Sequence, residues 1–226
     1  MTARLFSKGP YPAALLSDMD GLLLDTEQFS KRSFDRVGGI YQVENIAEIF
    51  PRLVGLNQQS HQTVLQEMLP PHIDMMEFDA KWKSIFIEML EDDVPVKEGA
   101  VDLLKHLRMH QVPIAVVTST ARQKAENHLA RAGLEVFIDA VIGGDDVAKG
   151  KPAPDIYLKG AARLGQPIAD CLALEDSNNG VRAAFAAGAV VVQIPDVAPP
   201  SEDVLEMSCA ITANLEEVFD VFGWVK

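Results

Sequence analysis

The sequence predicts an α/β fold in which a doubly wound parallel sheet carries an inserted all-helical domain after its first strand. From residue 94 onward, short apolar segments alternate with amphipathic segments, as in parallel sheets whose strands are buried on both faces. Residues 27–93 instead contain many helix formers and few β-branched runs. Apolar residues make up 48% of the 226 residues, which is enough to fill the core of such a fold.

The first part of the chain is predicted to hold one strand and a helical bundle. Residues 1–12 are expected to be irregular, and 13–17 form a buried strand. Apolar residues at helical spacing then predict four helices: one broken by Gly38-Gly39, one over 43–50 that Pro51 ends, one over 57–69, and one containing Phe78, Trp82 and Met89. We therefore expect a helical domain of residues 27–93 and a core domain of residues 1–26 and 94–226.

The remaining segments alternate between helices and strands. The predicted helices are 99–110, 120–132, 154–164 and 181–187, followed by a last helix that Asn214 caps. The predicted strands are 112–117, 140–142, 171–174, 189–194 and, at the edge of the sheet, 211–213. Three of these helices are followed by a glycine, which is the residue preferred just beyond a helix end.

The charge balance argues against two classes of partner. With 33 acidic and 20 basic residues the net charge is −13, whereas nucleic-acid binders and proteins of anionic membranes need a basic surface. A small anionic ligand remains compatible, because a local site can oppose the overall charge. Cys171 and Cys209 form no CxxC motif, and residues 1–12 lack the apolar stretch of a signal peptide. We expect a cytoplasmic monomer with no transmembrane segment.

Two carboxylates follow the first strand directly. Asp18 and Asp20 are two residues apart, so they begin on the same side of an extended segment and crowd one site. Close carboxylates repel each other unless a cation neutralises them, and an oxygen-rich site of this kind suits Mg²⁺. The alternative is a strand that ends in a polar turn at Gly21.

Polar side chains also follow other predicted strands. Residues 118–120, Thr-Ser-Thr, come after the second strand, and residues 175–177, Glu-Asp-Ser, come after a later one. Lys149 and Lys151 lie where a loop enters a helix. Because ligands of open parallel sheets bind at the carboxyl ends of the strands, these groups are expected at one rim. Taken singly, the two polar segments could be helix caps and the lysines could be solvated surface.

Four motifs, in order along the chain, resemble those of the haloacid dehalogenase-like superfamily, in its phosphatase and phosphomutase branch with an inserted helical cap. Residues 18–26, DMDGLLLDT, are similar to its DxDGxxxDT motif. Residues 116–119, VVTS, residues 150–157, GKPAPDIY, and residues 174–181, LEDSNNGV, are similar to the other three. The resemblance spans residues 18–188 and implies a Rossmann-like core.

The resemblance implies how phosphoryl transfer would proceed. Asp18 would be the nucleophile that forms an aspartyl-phosphate. Asp20 would be the general acid for the leaving oxygen and then the base that activates water. Lys151 would neutralise charge on Asp18 and on the phosphate, whose oxygens Thr118 and the N–H of Ser119 would bind. Positioning and electrostatic stabilisation of this kind are what phosphoryl transfer requires.

The resemblance also implies a Mg²⁺ cofactor. Asp18, the backbone carbonyl of Asp20 and Asp176 would hold the ion, and Glu175 would be a further ligand or a hydrogen-bond partner of the ligands. The implied substrate is a small phosphorylated metabolite, such as a sugar or polyol monophosphate. Residues 55–58 of the helical cap are expected to line the closed site.

Departures from the family pattern favour hydrolysis. Dehalogenase and phosphonatase relatives lack an aspartate at the position of Asp20, so we reject both of these activities for this chain. Phosphosugar mutases of the β-phosphoglucomutase type usually carry a histidine where this chain has Ser30, and an arginine where it has Gln58. Arg52 or Lys83 could supply the missing charge, so a mutase is the alternative function.

A third function, a catalytically silent binding protein, is less compatible with the sequence. Such a protein would keep four charged residues of the motifs without using them: Asp18, Asp20, Lys151 and Asp176. Burying that much charge without a function would be costly.

Overall fold

A computed structural model of the chain describes residues 6–7, 9–53, 58–92 and 94–225. The chain divides into a core unit, Met1–Leu24 with Pro95–Lys226, and a helical unit, Asp25–Val94. Of residues 55–58, which we expect to line the closed site, residues 55–57 lie outside the described residues, as does the predicted start of a helix at Asn57. No helix in the described ranges is both long and apolar enough to cross a membrane.

The core unit is built on one parallel sheet. Within the described ranges its strands are β1 Ala14–Ser17, β2 Ile114–Val117, β3 Ala140–Ile142, β4 Cys171–Glu175, β5 Val190–Gln193 and β6 Ala210–Ile211. They lie in the order β3-β2-β1-β4-β5-β6, and every neighbouring pair is parallel. Every residue of β1, β2 and β4 is buried, because helices cover both faces of the sheet. The α/β fold with a doubly wound sheet is therefore confirmed.

The helices occur in two groups. In the helical unit they are α1 Thr26–Tyr41, α2 Ile46–Leu53, α3 Gln58–Met68 and α4 Met75–Asp92. In the core unit they are α5 Ala100–Met109, α6 Arg122–Arg131, α7 Asp155–Arg163, α8 Asn178–Ala187, α9 Glu202–Leu205 and α10 Glu217–Phe222. The residue directly before α10 is Glu216, and it makes no side-chain cap; Asn214, predicted to cap this helix, lies two residues further back, and its side-chain oxygen accepts a hydrogen bond from the N–H of Glu217 at 3.0 Å. The short helix α9 was not predicted.

The strand order decides where the site lies. Strand β1 is flanked by β2 on one side and by β4 on the other, and the order of the sheet reverses there. Ser17 is level with Val116 in β2 and with Leu174 in β4. The residues that follow these strands therefore emerge together at the reversal point, where doubly wound sheets bind their ligands.

The helical unit has its own aromatic core. Phe34 of α1 is fully buried and packs edge-to-face against Trp82 of α4, with ring centroids 4.7 Å apart. The indole N–H of Trp82 donates to the hydroxyl of Ser33 at 2.8 Å, so this buried polar group is satisfied. The Phe and Trp side chains thus form the interior of the bundle, as the sequence predicts.

The expectation that Gly38-Gly39 breaks the first helix is wrong. Helix α1 continues through both glycines to Tyr41, and Gln42 then adopts a left-handed conformation with φ of 54°. A Cβ on Gly38 would lie 2.3 Å from Cγ1 of Ile46, whereas one on Gly39 would meet nothing within 4 Å. Gly38 therefore serves a close contact inside the helical unit and does not end the helix.

The expectation that Pro51 ends the second helix is also wrong. Helix α2 begins at Ile46, three residues later than predicted, and contains Pro51. Two residues near the proline explain this: Phe50, directly before it, and Leu53, two residues after it, are both buried in the core of the helical unit. The apolar surface that they bury offsets the backbone hydrogen bond that proline cannot donate.

The two adjacent glycines of α1 make a matched test of this packing. Gly39→Ala is expected to raise the free energy of unfolding by about 0.5–1 kcal/mol, because alanine is the better helix former and the site is open. Gly38→Ala is expected to lower it by about 1–3 kcal/mol, because the new methyl group collides with Ile46. Urea denaturation followed by circular dichroism measures both, and equal stabilisation by the two changes would contradict the contact.

Candidate active site

A buried lysine between two carboxylates forms the centre of the site. The N–H of Asp18 donates to the carbonyl oxygen of Leu174 at 3.0 Å, which holds Asp18 beside the last residue of β4, Glu175. Lys151 enters from the loop before α7, and its Nζ donates to Asp18 Oδ1 and Glu175 Oε1, both at 2.5 Å. Glu175 is fully buried and Asp18 is 6% exposed. Three charged groups from distant parts of the chain therefore meet in the interior.

The carboxylate of Glu175 is satisfied on all sides by the protein. Besides Lys151, the hydroxyl of Tyr157 donates to its Oε1. The hydroxyl of Ser177 donates to Oε2 at 3.2 Å and also accepts from the N–H of Gly180, capping α8. A Cβ on Gly180 would lie 1.9 Å from the carboxyl carbon, so only glycine fits against it. These contacts hold Glu175 in the orientation that presents it to Lys151.

A second hydrogen-bonded group surrounds Asp20. The hydroxyls of Thr120 and Thr118 donate to Asp20 Oδ2 at 2.7 and 3.3 Å. The N–H of Thr120 in turn donates to the hydroxyl oxygen of Thr118 at 3.1 Å. Helix α6 begins beyond them, and its N-cap, Ala121, makes no side-chain cap. The threonines after β2 therefore orient Asp20, and simple helix capping does not account for them.

An acidic group suited to a cation lies at the same rim. Asp18, Glu175 and Asp176 each offer an oxygen, and these oxygens lie within 4.8 Å of one another. Gly21 has φ of 82°, and a Cβ on it would lie 2.6 Å from Asp176 Oδ2, so glycine leaves this carboxylate room. A set of carboxylate oxygens fits a hard divalent cation such as Mg²⁺.

The pKa shifts of the buried groups agree with a divalent cation at this rim. Burial raises the pKa of Asp18 from 3.8 to about 7; Lys151 opposes this rise, and the charges of Glu175 and Asp20 add to it. A carboxylate whose charge is disfavoured in this way is one that a bound cation stabilises. Burial disfavours the charge on Lys151, but Asp18 and Glu175 outweigh burial and raise the pKa of its ammonium group. Burial also raises the pKa of Tyr157 well above its ordinary value, so its hydroxyl stays a donor.

The structure brings most of the predicted site residues together. The following are buried or half-buried at this end of the sheet: Asp18, Asp20, Thr118, Lys151, Glu175 and Asp176. Ser119 follows Thr118 at the same strand end and is exposed. Lys149 is exposed, in line with the solvated alternative for that residue.

Four residues of the site have no individual role predicted from the sequence. Tyr157 belongs to a quoted motif without a role of its own, and Thr120 is expected at the rim with the other polar strand-end residues but without a contact to Asp20. Asp196 follows β5, so the strand-end argument that selected the other carboxylates could have found it. No sequence signal identifies the contact of Gly180 with Glu175, since it depends on how α8 packs against β4.

Comparisons with known proteins give a consistent result. The chain is 30% identical over 215 residues to a phosphorylated carbohydrates phosphatase of Thermotoga maritima, covering 92% of this chain and 97% of that protein. It is 32% identical over 189 residues to the fructose-1-phosphate phosphatase YqaB of Escherichia coli, covering 80% and 96%. A bifunctional riboflavin kinase/FMN phosphatase of Arabidopsis thaliana is 31% identical over 188 residues. The match covers 82% of this chain but only 49% of that protein, so the chain spans about half the length of this relative.

Solved structures share the fold. A hydrolase from Deinococcus radiodurans, crystallised with bound phosphate and sodium, superposes with a TM-score of 0.79 at 24% identity, covering 96% of this chain and 98% of its own. A β-phosphoglucomutase from Clostridium difficile superposes with a TM-score of 0.69 at 16% identity, covering 94% and 97%. The family model described as haloacid dehalogenase-like hydrolase matches residues 12–188, so the chain belongs to the haloacid dehalogenase-like hydrolase family.

Proposed function

We propose that this protein is a Mg²⁺-dependent phosphatase that hydrolyses a small phosphorylated metabolite, a sugar or polyol monophosphate, through an aspartyl-phosphate. The observation that carries the proposal is the buried Lys151, which donates to Asp18 and Glu175 at 2.5 Å. A cation held beside a candidate nucleophile stabilises the negative charge of a transferring phosphoryl group. Membership of a hydrolase family with phosphatase relatives supports the same reaction.

Two steps account for the proposed chemistry. In the first, a carboxylate oxygen of Asp18 attacks phosphorus, the bond to the alkoxyl oxygen breaks, and Asp20 gives its proton to the departing alcohol. In the second, Asp20 takes a proton from water as the water oxygen attacks phosphorus. The bond to Asp18 then breaks, inorganic phosphate leaves, and both aspartates return to their starting state. The hydroxyl of Thr120, which donates to Asp20 Oδ2 at 2.7 Å, supports this exchange by fixing the orientation of Asp20.

The residues at the rim have separate tasks in this proposal. Asp18, the backbone carbonyl of Asp20 and Asp176 would hold Mg²⁺, which would offset the charge of the phosphate. Glu175 would orient Lys151 and not bind the ion directly, because both of its oxygens already accept hydrogen bonds from the protein. Thr118 and the N–H of Ser119 would bind phosphoryl oxygens.

The substrate class rests on the names of the relatives. Two of them are phosphatases named for phosphorylated carbohydrates and for fructose 1-phosphate. A screen of phosphorylated metabolites with the purified protein and Mg²⁺, read as released inorganic phosphate, would identify the substrate. Glucose 6-phosphate formed from β-glucose 1-phosphate with a bisphosphate primer, without released phosphate, would instead establish the mutase.

Location and assembly belong to the same proposal. Cys171 and Cys209 are both free thiols, which is compatible with the reducing cytoplasm. The net charge of −13 supports a small ligand over nucleic acid or an anionic membrane. The monomeric state stays a prediction.

The nucleophile is tested by Asp18→Asn. The amide is nearly isosteric but far less nucleophilic, so phosphomonoester hydrolysis is expected to fall by at least about a thousandfold. Asp102→Asn, an exposed aspartate on α5, is the control and should keep wild-type turnover. Initial rates on a generic phosphomonoester measure both, and wild-type turnover by Asp18→Asn would reject the assignment.

Metal dependence is tested by chelation. Excess EDTA is expected to abolish phosphate release, because the repelling carboxylates at the rim lose their counter-ion, and added Mg²⁺ is expected to restore it. The measurement is the rate before chelation, after it, and after Mg²⁺ is returned. Full turnover in EDTA would remove the metal from the proposal.

The positioning of Lys151 through Glu175 is tested by Tyr157→Phe. Loss of the hydroxyl removes one of the donors that fix Glu175, so Lys151 is held less firmly over Asp18. We expect kcat to fall by about three- to tenfold with KM changed by less than about twofold, since a lost hydrogen bond costs roughly 1 kcal/mol. The control is Tyr41→Phe in the helical unit. Unchanged kcat in Tyr157→Phe would show that the phenol has only a packing role.

A further inference from the structure

A fifth carboxylate lies at the rim of the site and has no role in the chemistry described above. Asp196 follows β5 after Ile194 and Pro195, and its side chain is 18% exposed. Its Oδ1 accepts a hydrogen bond from Lys97 Nζ at 2.6 Å. Lys97 is itself tied to the segment after β1, because its backbone N–H donates to the carbonyl oxygen of Leu23 at 2.9 Å. One oxygen of Asp196 is therefore fixed in place by the core unit.

The other oxygen of Asp196 has no such partner. Oδ2 is enclosed, and it makes no hydrogen bond to any residue that the structure describes. Leaving a buried acceptor unsatisfied is costly, and such groups in native proteins are usually satisfied by water or an ion. The position of Oδ2 therefore indicates a polar occupant that the protein does not itself supply.

The surroundings of Oδ2 indicate which occupant fits. A Cβ on Gly21 would lie 3.3 Å from Asp196 Oδ2 and 2.6 Å from Asp176 Oδ2, so both oxygens face the same side of this glycine. Gly21 directly follows Asp20, and Asp176 belongs to the acidic group suited to a cation. Glycine at position 21 lets these two carboxylate oxygens approach the same point of the backbone, where they repel each other unless a positive charge lies close by.

We propose that Asp196 Oδ2 accepts a hydrogen bond from a water molecule of the Mg²⁺ hydration shell, so that Asp196 is a positioning residue for the cation. The inference rests on the proposed function. Mg²⁺ gives up its water reluctantly and usually keeps several water molecules in a protein site. A carboxylate that is fixed at one oxygen by Lys97 and has no hydrogen-bond donor from the described residues at the other is suited to orient one of these water molecules. Asp196 would then increase cation affinity without touching the substrate.

Asp196→Asn tests this role directly. The amide is isosteric, and its oxygen can still accept from Lys97, which places the NH₂ group where Oδ2 was. A donor at that point cannot accept from a metal-bound water, and the negative charge is lost. Loss of such an outer contact typically weakens metal binding by about 10–100-fold. We expect the dissociation constant of the cation to be at least about tenfold higher than in wild type.

The readout is cation binding to the purified protein without substrate. Mn²⁺ serves as the probe, because it also prefers oxygen ligands, and the electron paramagnetic resonance signal of the free ion gives its dissociation constant. Competition with Mg²⁺ then gives the affinity for the natural ion. Asp203→Asn is the matched control, since Asp203 also accepts hydrogen bonds from a cationic side chain, Arg182, but does so at an exposed position.

The outcomes separate this inference from the function on which it rests. Wild-type protein that binds neither ion would overturn the cation in the proposed function itself. Wild-type binding together with an unchanged affinity in Asp196→Asn would overturn only the role of Asp196, leaving its pair with Lys97 as a structural contact. If circular dichroism shows that Asp196→Asn is not folded, Asp196→Glu replaces it. That change keeps the negative charge but displaces the carboxylate oxygens by one methylene group, so weaker cation binding is expected and an unchanged affinity again overturns the role.

Discussion

The buried lysine between two carboxylates is the interaction on which the rest of the site depends. An unpaired charge in the interior is costly, so the buried ammonium of Lys151 depends on the carboxylates of Asp18 and Glu175 beside it, and Lys151 in turn opposes the rise in the pKa of Asp18 that burial causes. The register of the sheet brings the two carboxylates together, because the pairing of β1 with β4 places Asp18 beside Glu175. Lys151 then reaches both carboxylates from the loop before α7. The fold of the core unit can therefore be understood as the means of bringing three distant charges into contact.

The two acidic residues at the end of β4 have different surroundings, although they are adjacent in sequence. Glu175 is enclosed by Lys151, Tyr157, Ser177 and Gly180, so its oxygens are fully used inside the protein. Asp176 has its Oδ2 beside Gly21 and offers an oxygen within 4.8 Å of one of Asp18. One carboxylate is thus suited to hold the lysine, and its neighbour is suited to hold a cation. Asp196 extends the second group, since its free oxygen faces the same glycine.

Several glycines of this protein are required because a neighbouring side chain lies too close for a Cβ, and not because the chain reverses there. Gly38 allows Ile46 to pack against α1, and Gly180 allows Glu175 to lie against α8. In both cases an added Cβ would fall at 2.3 Å or less from the neighbour. Gly21 combines both uses, because its backbone has positive φ and its missing side chain leaves room for Asp176. A glycine in the middle of a predicted helix is therefore a weak sign that the helix ends.

The sequence by itself determined the alternation of strands and helices and the identity of the polar residues at the strand ends. These follow from local periodicity and from the rule that parallel strands share one rim, so the position of Asp18, Thr118 and Glu175 at one end of the sheet was predictable. It did not determine that α1 passes through Gly38 or that α2 passes through Pro51, because burial against other helices outweighed local preference there. Nor did it determine which oxygen of each carboxylate accepts a given hydrogen bond. Tertiary packing decided that Glu175 contacts the lysine and that Asp176 and Asp196 lie beside Gly21. Only the folded chain sets the distances on which hydrogen bonds and charge interactions depend.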